Sequence, residues 1–132
     1  MRKPVRIRVE TESVKDVLAE IRFEENPRTA ETVVKALPIE GVVERWGDEV
    51  YFYVSLRLGK ENARERVKVG EVAYWPEGPA LCIFFGPTPV SPSPDDIRAY
   101  SPVNVIGRLL TDPPALRKVK PGEKIRVTLL TG

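Results

Sequence analysis

Imidazole chemistry is closed to this chain, because it contains no histidine. That removes the usual general base, the Ser-His and Cys-His nucleophile pairs, and most zinc or iron sites. The single cysteine, Cys82, rules out an internal disulfide. It lies in an uncharged run, residues 80–85, where a small buried hydrophobe is a commoner role than a reactive thiol. Acid–base work would fall to Asp, Glu, Lys, Tyr or Cys82. Asp95-Asp96 could suggest a metal pair, but no further oxygen ligands lie nearby in sequence. With Ile97 following, the two carboxylates read as a helix cap. No metal and no cofactor is expected.

Aromatic and apolar side chains are the stronger signal. Residues 70–87 read Gly-Glu-Val-Ala-Tyr-Trp-Pro-Glu-Gly-Pro-Ala-Leu-Cys-Ile-Phe-Phe-Gly-Pro. Two short apolar strands flank a turn at Pro76, Glu77, Gly78 and Pro79. The second carries no charge on either face, as suits a strand buried on both sides or lining a pocket. Phe84 and Phe85 are therefore either barrel core, the commoner outcome, or walls for an apolar ligand or an extended peptide. Tyr51 and Tyr53 share one face of a strand and either stack on a ligand or form a half-exposed exterior. Asn104 is the one polar side chain in an apolar strand, so it is either satisfied by neighbouring backbone or aimed at a ligand.

The elements that must position these residues are mostly strands. Val5, Ile7 and Val9 alternate with Arg6 and Arg8. Val17, Ala19, Ile21 and Phe23 share one face of a second strand, with Glu20 and Arg22 opposite. A helix spans residues 27–37: Asn26 is a good N-cap, Pro27 takes the first helical position, and Ala30, Val33, Val34 and Leu37 form one stripe. Residues 39–46 and 49–55 read as a hairpin across Gly47-Asp48, with Val50, Phe52 and Val54 on one face. Residues 59–66 look like a polar, mobile connection. Four prolines in residues 86–94 make that segment a surface loop. A strand follows at 103–110, then a short helix capped by Asp112-Pro113 and ending near Val119. Pro121-Gly122 turns into a last strand carrying Ile125, Val127 and Leu129. About eight strands and two short helices in one domain, residues 1–132, point to a closed β-barrel.

Charge excludes some partners. The balance of 21 basic and 19 acidic residues gives a net charge of +2. That is a mixed solvated surface and not a nucleic-acid footprint. No apolar run reaches the ~20 residues of a membrane span, and no signal peptide is visible, so a cytoplasmic chain is expected. Thirteen prolines, no glutamine and 30% charged residues lean toward a thermophile.

Several segments resemble the cyclophilins. Glu25-Asn-Pro-Arg-Thr-Ala-Glu-Thr-Val-Val-Lys-Ala-Leu37 is similar to their first helix. Ile83-Phe84-Phe85 resembles their Gln-Phe-Phe-Ile strand, and Val105-Ile-Gly-Arg108 their Val-Phe-Gly-Lys segment. The resemblance is closer to a small prokaryotic family of minimal cyclophilin-like proteins of largely undefined function. Its pattern appears as Trp46-Gly-Asp-Glu-Val-Tyr-Phe52, Gly70-Glu-Val-Ala-Tyr-Trp-Pro76, Ala80-Leu-Cys-Ile-Phe-Phe-Gly-Pro-Thr-Pro89 and Val103-Asn-Val-Ile-Gly107. This implies a mainly β, closed cyclophilin-like barrel.

Cyclophilins isomerise prolyl bonds, whose barrier comes from C–N double-bond character. Their Phe-His-Arg run corresponds here to Gly41-Val-Val-Glu-Arg-Trp46, which leaves Arg45 as the only guanidinium. Neither Phe nor His precedes it, and a salt bridge to Glu44 or Glu49 explains it as well. The family's pocket histidine falls near Val103 and is missing. Within the resemblance, the candidate site comprises Arg45 as the catalytic residue and Tyr51, Tyr53, Phe84, Phe85 and Asn104 as ligand-binding residues. Three readings stay open. The first is a binding module for an extended peptide or small ligand, with weak or no isomerase activity. The second is a minimal peptidyl-prolyl isomerase using Arg45. The third is a small-molecule or carboxylase-associated domain. Homo-oligomer formation is open under all three.

Overall fold

Alternation of apolar and polar residues builds the strands. In the computed structural model, which describes residues 2–131, β1 (Val5–Thr11) buries Val5, Ile7 and Val9 and turns Arg6 and Arg8 to the other face. β2 (Val17–Ile21) buries Val17, Ala19 and Ile21. Then follow α1 (Pro27–Ala36), β3 (Ile39–Val42), β4 (Glu44–Arg45), β5 (Glu49–Tyr53), β6 (Arg64–Val67), β7 (Glu71–Trp75) and β8 (Ala80–Phe84). β9 (Ile97–Leu109), a 3₁₀ helix at Pro113–Lys118 and β10 (Lys124–Thr131) complete the order. With 46% strand against 12% helix, the fold is mainly β.

The strands form one sheet in the order β3-β10-β1-β2-β9-β7-β8-β5-β4, with β6 added on β9. Every pairing is antiparallel. The expected closed barrel of about eight strands is therefore a ten-stranded sheet that hydrogen bonds do not close. Its two end strands, β3 and β4, are consecutive in the chain, and Val43 alone separates them. Val43 is spent elsewhere: its N–H donates to the Glu123 carbonyl at 2.8 Å, and its carbonyl accepts from Gly122 N–H at 2.9 Å. The hairpin across Gly47-Asp48 forms between β4 and β5, whereas β3 pairs with β10. Gly47 sits at φ +60°, a conformation that side chains with a Cβ rarely adopt.

Two apolar layers lie on opposite faces of the sheet. The larger one holds Val9, Ile21, Val50, Phe52, Leu81, Ile83, Ile106 and Ile125, with Ala30 and Val33 inserted from α1. The second holds Val67, Ala73, Cys82, Phe84, Ile97, Ala99, Val103 and Val105. β8 stands between them, so all five of its residues are buried, as its uncharged sequence requires. β9 can serve both layers because it runs for 13 residues, beginning at Ile97 and not at 103. Gly107 lets β9 lie against β2, since a Cβ there would overlap the Glu20 carbonyl.

Asp95-Asp96 caps no helix. Ile97 and Ala99 alternate into the second layer and open a strand, and Asp96 pairs with Arg98 at 2.7 Å and Arg66 at 3.2 Å. Asn26 occupies the N-cap position of α1 but makes no side-chain cap bond. Glu61 caps the helix from a distance, accepting from Arg28 N–H at 3.1 Å and Thr29 N–H at 3.0 Å. Residues 59–66, expected to be mobile, are fastened. Asn26 Oδ1 accepts from Asn62 N–H at 2.7 Å, Asn104 Oδ1 accepts from Glu61 N–H at 3.0 Å, and residues 64–67 form β6. Polar composition suggested a loose loop, but buried amides and a helix terminus supply the partners that anchor it. Asp112 likewise makes no side-chain cap bond, and the helix after it is 3₁₀.

Candidate functional site

β5 presents two chemically different faces. Val50 and Phe52 point into the larger core, while Glu49, Tyr51 and Tyr53 lie on the opposite face, beside the second apolar layer. Register sets Tyr51 opposite Cys82 and Glu49 opposite Phe84 on β8, and pairs Trp75 of β7 with Ala80. The first half of β9 brings Ala99 and Val103 into that layer and Tyr100 against Trp46 and Trp75. Between them lies a cavity of about 230 Å³, walled by Trp46, Tyr51, Trp75 and Tyr100 together with Glu49 and Ser101.

The four aromatic rings meet edge to face in series. Trp46 and Tyr100 have centroids 5.8 Å apart at 81°, Tyr100 and Trp75 6.1 Å apart at 84°, and Trp75 and Tyr51 6.3 Å apart at 85°. Tyr53 extends the row at 5.8 Å from Tyr51. Trp75 is held by its indole N–H, which donates to Ser101 Oγ at 2.6 Å. Near-perpendicular rings are the arrangement their quadrupoles favour, and here they form angled walls.

Glu49 is the one carboxylate on the wall. It is 6% exposed. Among the described residues no Arg or Lys forms a salt bridge with it. Burial pushes its carboxyl up to about 7, and a hydrogen bond with the Cys82 thiol offsets only part of this. Burial and then Glu49 push the Cys82 thiol well above its ordinary range, so it is no nucleophile. Burial, followed by the neighbouring Tyr53 and Glu44, also raises the Tyr51 phenol.

The residues singled out from sequence lie in three places. Tyr51 lines the cavity, and Tyr53, more than half exposed, stands beside it. Phe84 packs in the second apolar layer on the same face, fully buried. Phe85 is buried on the opposite, larger core, and Arg45 lies over its ring at 4.9 Å. Arg45 donates through Nε and Nη2 to the Gly47 carbonyl at 3.2 and 3.0 Å, and through Nη1 to the Val119 carbonyl at 2.8 Å. Its acidic partner is Asp48 at 3.7 Å, neither Glu44 nor Glu49. Asn104 is wholly buried in the polar network under α1. Its Nδ2 donates to Thr29 Oγ1 and to the Gly59 carbonyl, both at 3.0 Å.

Sequence reasoning missed Glu49, Trp46, Trp75 and Tyr100 as a site. One signal was within reach: Glu49 sits two residues before Tyr51 and so shares its face. Trp46 and Tyr100, more than 50 residues apart, carry no such signal. No group of three or more metal-ligating side chains occurs among the described residues, and none of their helices is long and apolar enough to cross a membrane.

The model of one protein family, described as cyclophilin-like, matches residues 3–128. The chain is similar to the solution structure of a hypothetical protein from Archaeoglobus fulgidus. The two share 40% identity over 96% of this chain and 95% of that one, with a TM-score of 0.79. No curated protein matches the chain.

Proposed function

Since the chain belongs to the cyclophilin-like family, we propose that it is a binding module that takes a small ligand, with weak or no prolyl isomerase activity. The observation carrying this reading is the aromatic cavity with a buried, unpaired carboxylate in its wall. Ligand sites are concave, mostly apolar and furnished with a few convergent polar groups. A cavity of about 230 Å³ is smaller than the roughly 300–1,000 Å³ of drug-sized sites. It suits one head group better than an extended peptide. In this reading Tyr51 contacts the ligand, Tyr53 edges the mouth and Phe84 supports the floor. The barrel closes through the chain itself at Val43, with β3 and β4 as two halves of a seam strand.

Isomerase chemistry through Arg45 has less support. Catalysis by a guanidinium needs donors free to reach the prolyl nitrogen, and three nitrogens of Arg45 already hold the Gly47 and Val119 carbonyls. Arg45 also lies on the opposite face of the sheet from Tyr51, over Phe85. Both tryptophans of the chain line the cavity, so intrinsic fluorescence reports directly on occupancy. A fluorescence screen of small metabolites and prolyl peptides should find saturable quenching. Exchange spectroscopy on an Xaa-Pro peptide should show little acceleration. Robust isomerisation that disappears in Arg45→Ala would overturn this reading in favour of a minimal isomerase.

A further inference from the structure

We infer that the cavity receives the head group of an organic ammonium ion, with Trp46, Tyr51, Trp75 and Tyr100 around it and the Glu49 carboxylate as its counter-ion. This rests on the reading of the cavity as a binding site and names the ligand's chemical class. Three observations converge on a cation. Four electron-rich rings wall one small space at angles of 81° to 85° to their neighbours, so their faces point in different directions. Such angled walls attract a methylated ammonium through the negative ring faces, and indole is the strongest partner. Two of the four rings are indoles.

The carboxylate is the second observation. Glu49 is more than nine-tenths buried, and no basic side chain among the described residues compensates it. A buried ionised carboxylate without a partner is costly, which is why this one resists losing its proton up to about 7. A cation entering the cavity would supply the missing charge. An anion or a neutral apolar group would leave the carboxylate as costly as before. Third, the wall is mostly apolar surface. With one of its few polar atoms, Ser101 Oγ, already engaged by Trp75, such a wall suits an apolar-clad charge better than a hydroxyl-rich ligand. Methyl groups on nitrogen suit these walls, because they fill apolar space while spreading the positive charge.

Tryptophan fluorescence titration at pH 8, where Glu49 is ionised, tests this with choline against 3,3-dimethylbutan-1-ol, its neutral isostere. Choline is expected to bind about tenfold tighter or more, the selectivity that desolvated cation–π contacts and one ion pair supply. Glu49→Gln should weaken choline by about tenfold and leave the neutral isostere unchanged, since only the charge term is lost. Tyr100→Ala guards against misfolding as an explanation: Tyr100 is 68% exposed, so its removal spares the core, and it should weaken choline more than the isostere. A trimethyllysine peptide forms a further arm. Tighter binding than choline assigns the head group to a modified side chain, and weaker binding assigns it to a free small molecule. Equal affinity for choline and its isostere would overturn the inference, as would a Glu49→Gln variant with undiminished selectivity. If other compounds quench and ammonium ions do not, only this inference falls. If nothing quenches, the binding-module reading falls with it.

Discussion

Glu49→Gln should abolish a pH dependence of stability that the wild-type chain shows between pH 4.5 and 8. In the unfolded chain this carboxyl titrates near its ordinary 4.5; in the fold burial holds it at about 7. Between those values the folded chain binds the extra proton. The contribution is therefore fully present below 4.5 and is lost as pH rises through 7. A gap of about 2.5 in pKa corresponds to about 3 kcal/mol at 1.36 kcal/mol per unit, most of it gone by pH 7. Glutamine keeps the shape and cannot ionise, so its curve should stay flat where the wild type falls. Glu123 titrates outside this window. Burial opposes its ionisation, but hydrogen bonds led by those from Ser13 and Lys120 hold it at about 2, so its contribution is lost only as pH drops below 4.5. Urea unfolding of both proteins at half-unit pH steps, read by far-ultraviolet circular dichroism, measures the difference directly. Parallel curves would refute the premise that Glu49 is an uncompensated buried acid. A wild type that grows more stable with rising pH would mean that a cation of the protein sits beside it.

Three further outcomes follow from contacts elsewhere. Ile83→Ala should lower stability by about 2–5 kcal/mol, because Ile83 is 3% exposed in the larger core; an unchanged midpoint and slope in urea would place β8 outside the core. Asn104→Ala strands the Glu61 N–H and the Gly59 carbonyl. It should cost about 1–3 kcal/mol and speed amide exchange at Glu61, whereas unchanged protection there would show that the 59–62 segment is held by other means. Arg45→Ala should lower stability by about 1–3 kcal/mol through loss of the bonds to the Gly47 and Val119 carbonyls. It should leave prolyl exchange at its background rate, and an isomerase rate that tracks this substitution would contradict the structural role.

Local periodicity determined much of this protein from the sequence alone. Alternation put Val50 and Phe52 on one face of their strand and Tyr51 and Tyr53 on the other. The uncharged run at residues 80–85 announced a strand buried on both sides or lining a pocket, which the structure shows as the fully buried β8, and Pro27 marked the start of α1. These features are legible because each depends only on neighbours two to four residues away. Partner choice was not legible. Nothing local distinguishes a β3 that pairs with β5 from one that pairs with β10, and that β3 and β4 stand at opposite ends of the strand order emerges only from the pairing of the whole sheet. The same limit hid the helix cap. Asn26 has the right residue type at the right position, yet Glu61 takes the job because the fold carries it to the helix end and leaves Asn26 to bind Val105 and Asn62. The cavity is the extreme case. Trp46 with Glu49, Trp75 and Tyr100 come from three separate stretches of chain, and only the strand register and the placement of β9 bring them together. Tertiary structure also decides the chemistry of Glu49. A glutamate in the sequence is an ordinary surface acid until the layers around it exclude water and withhold a counter-charge.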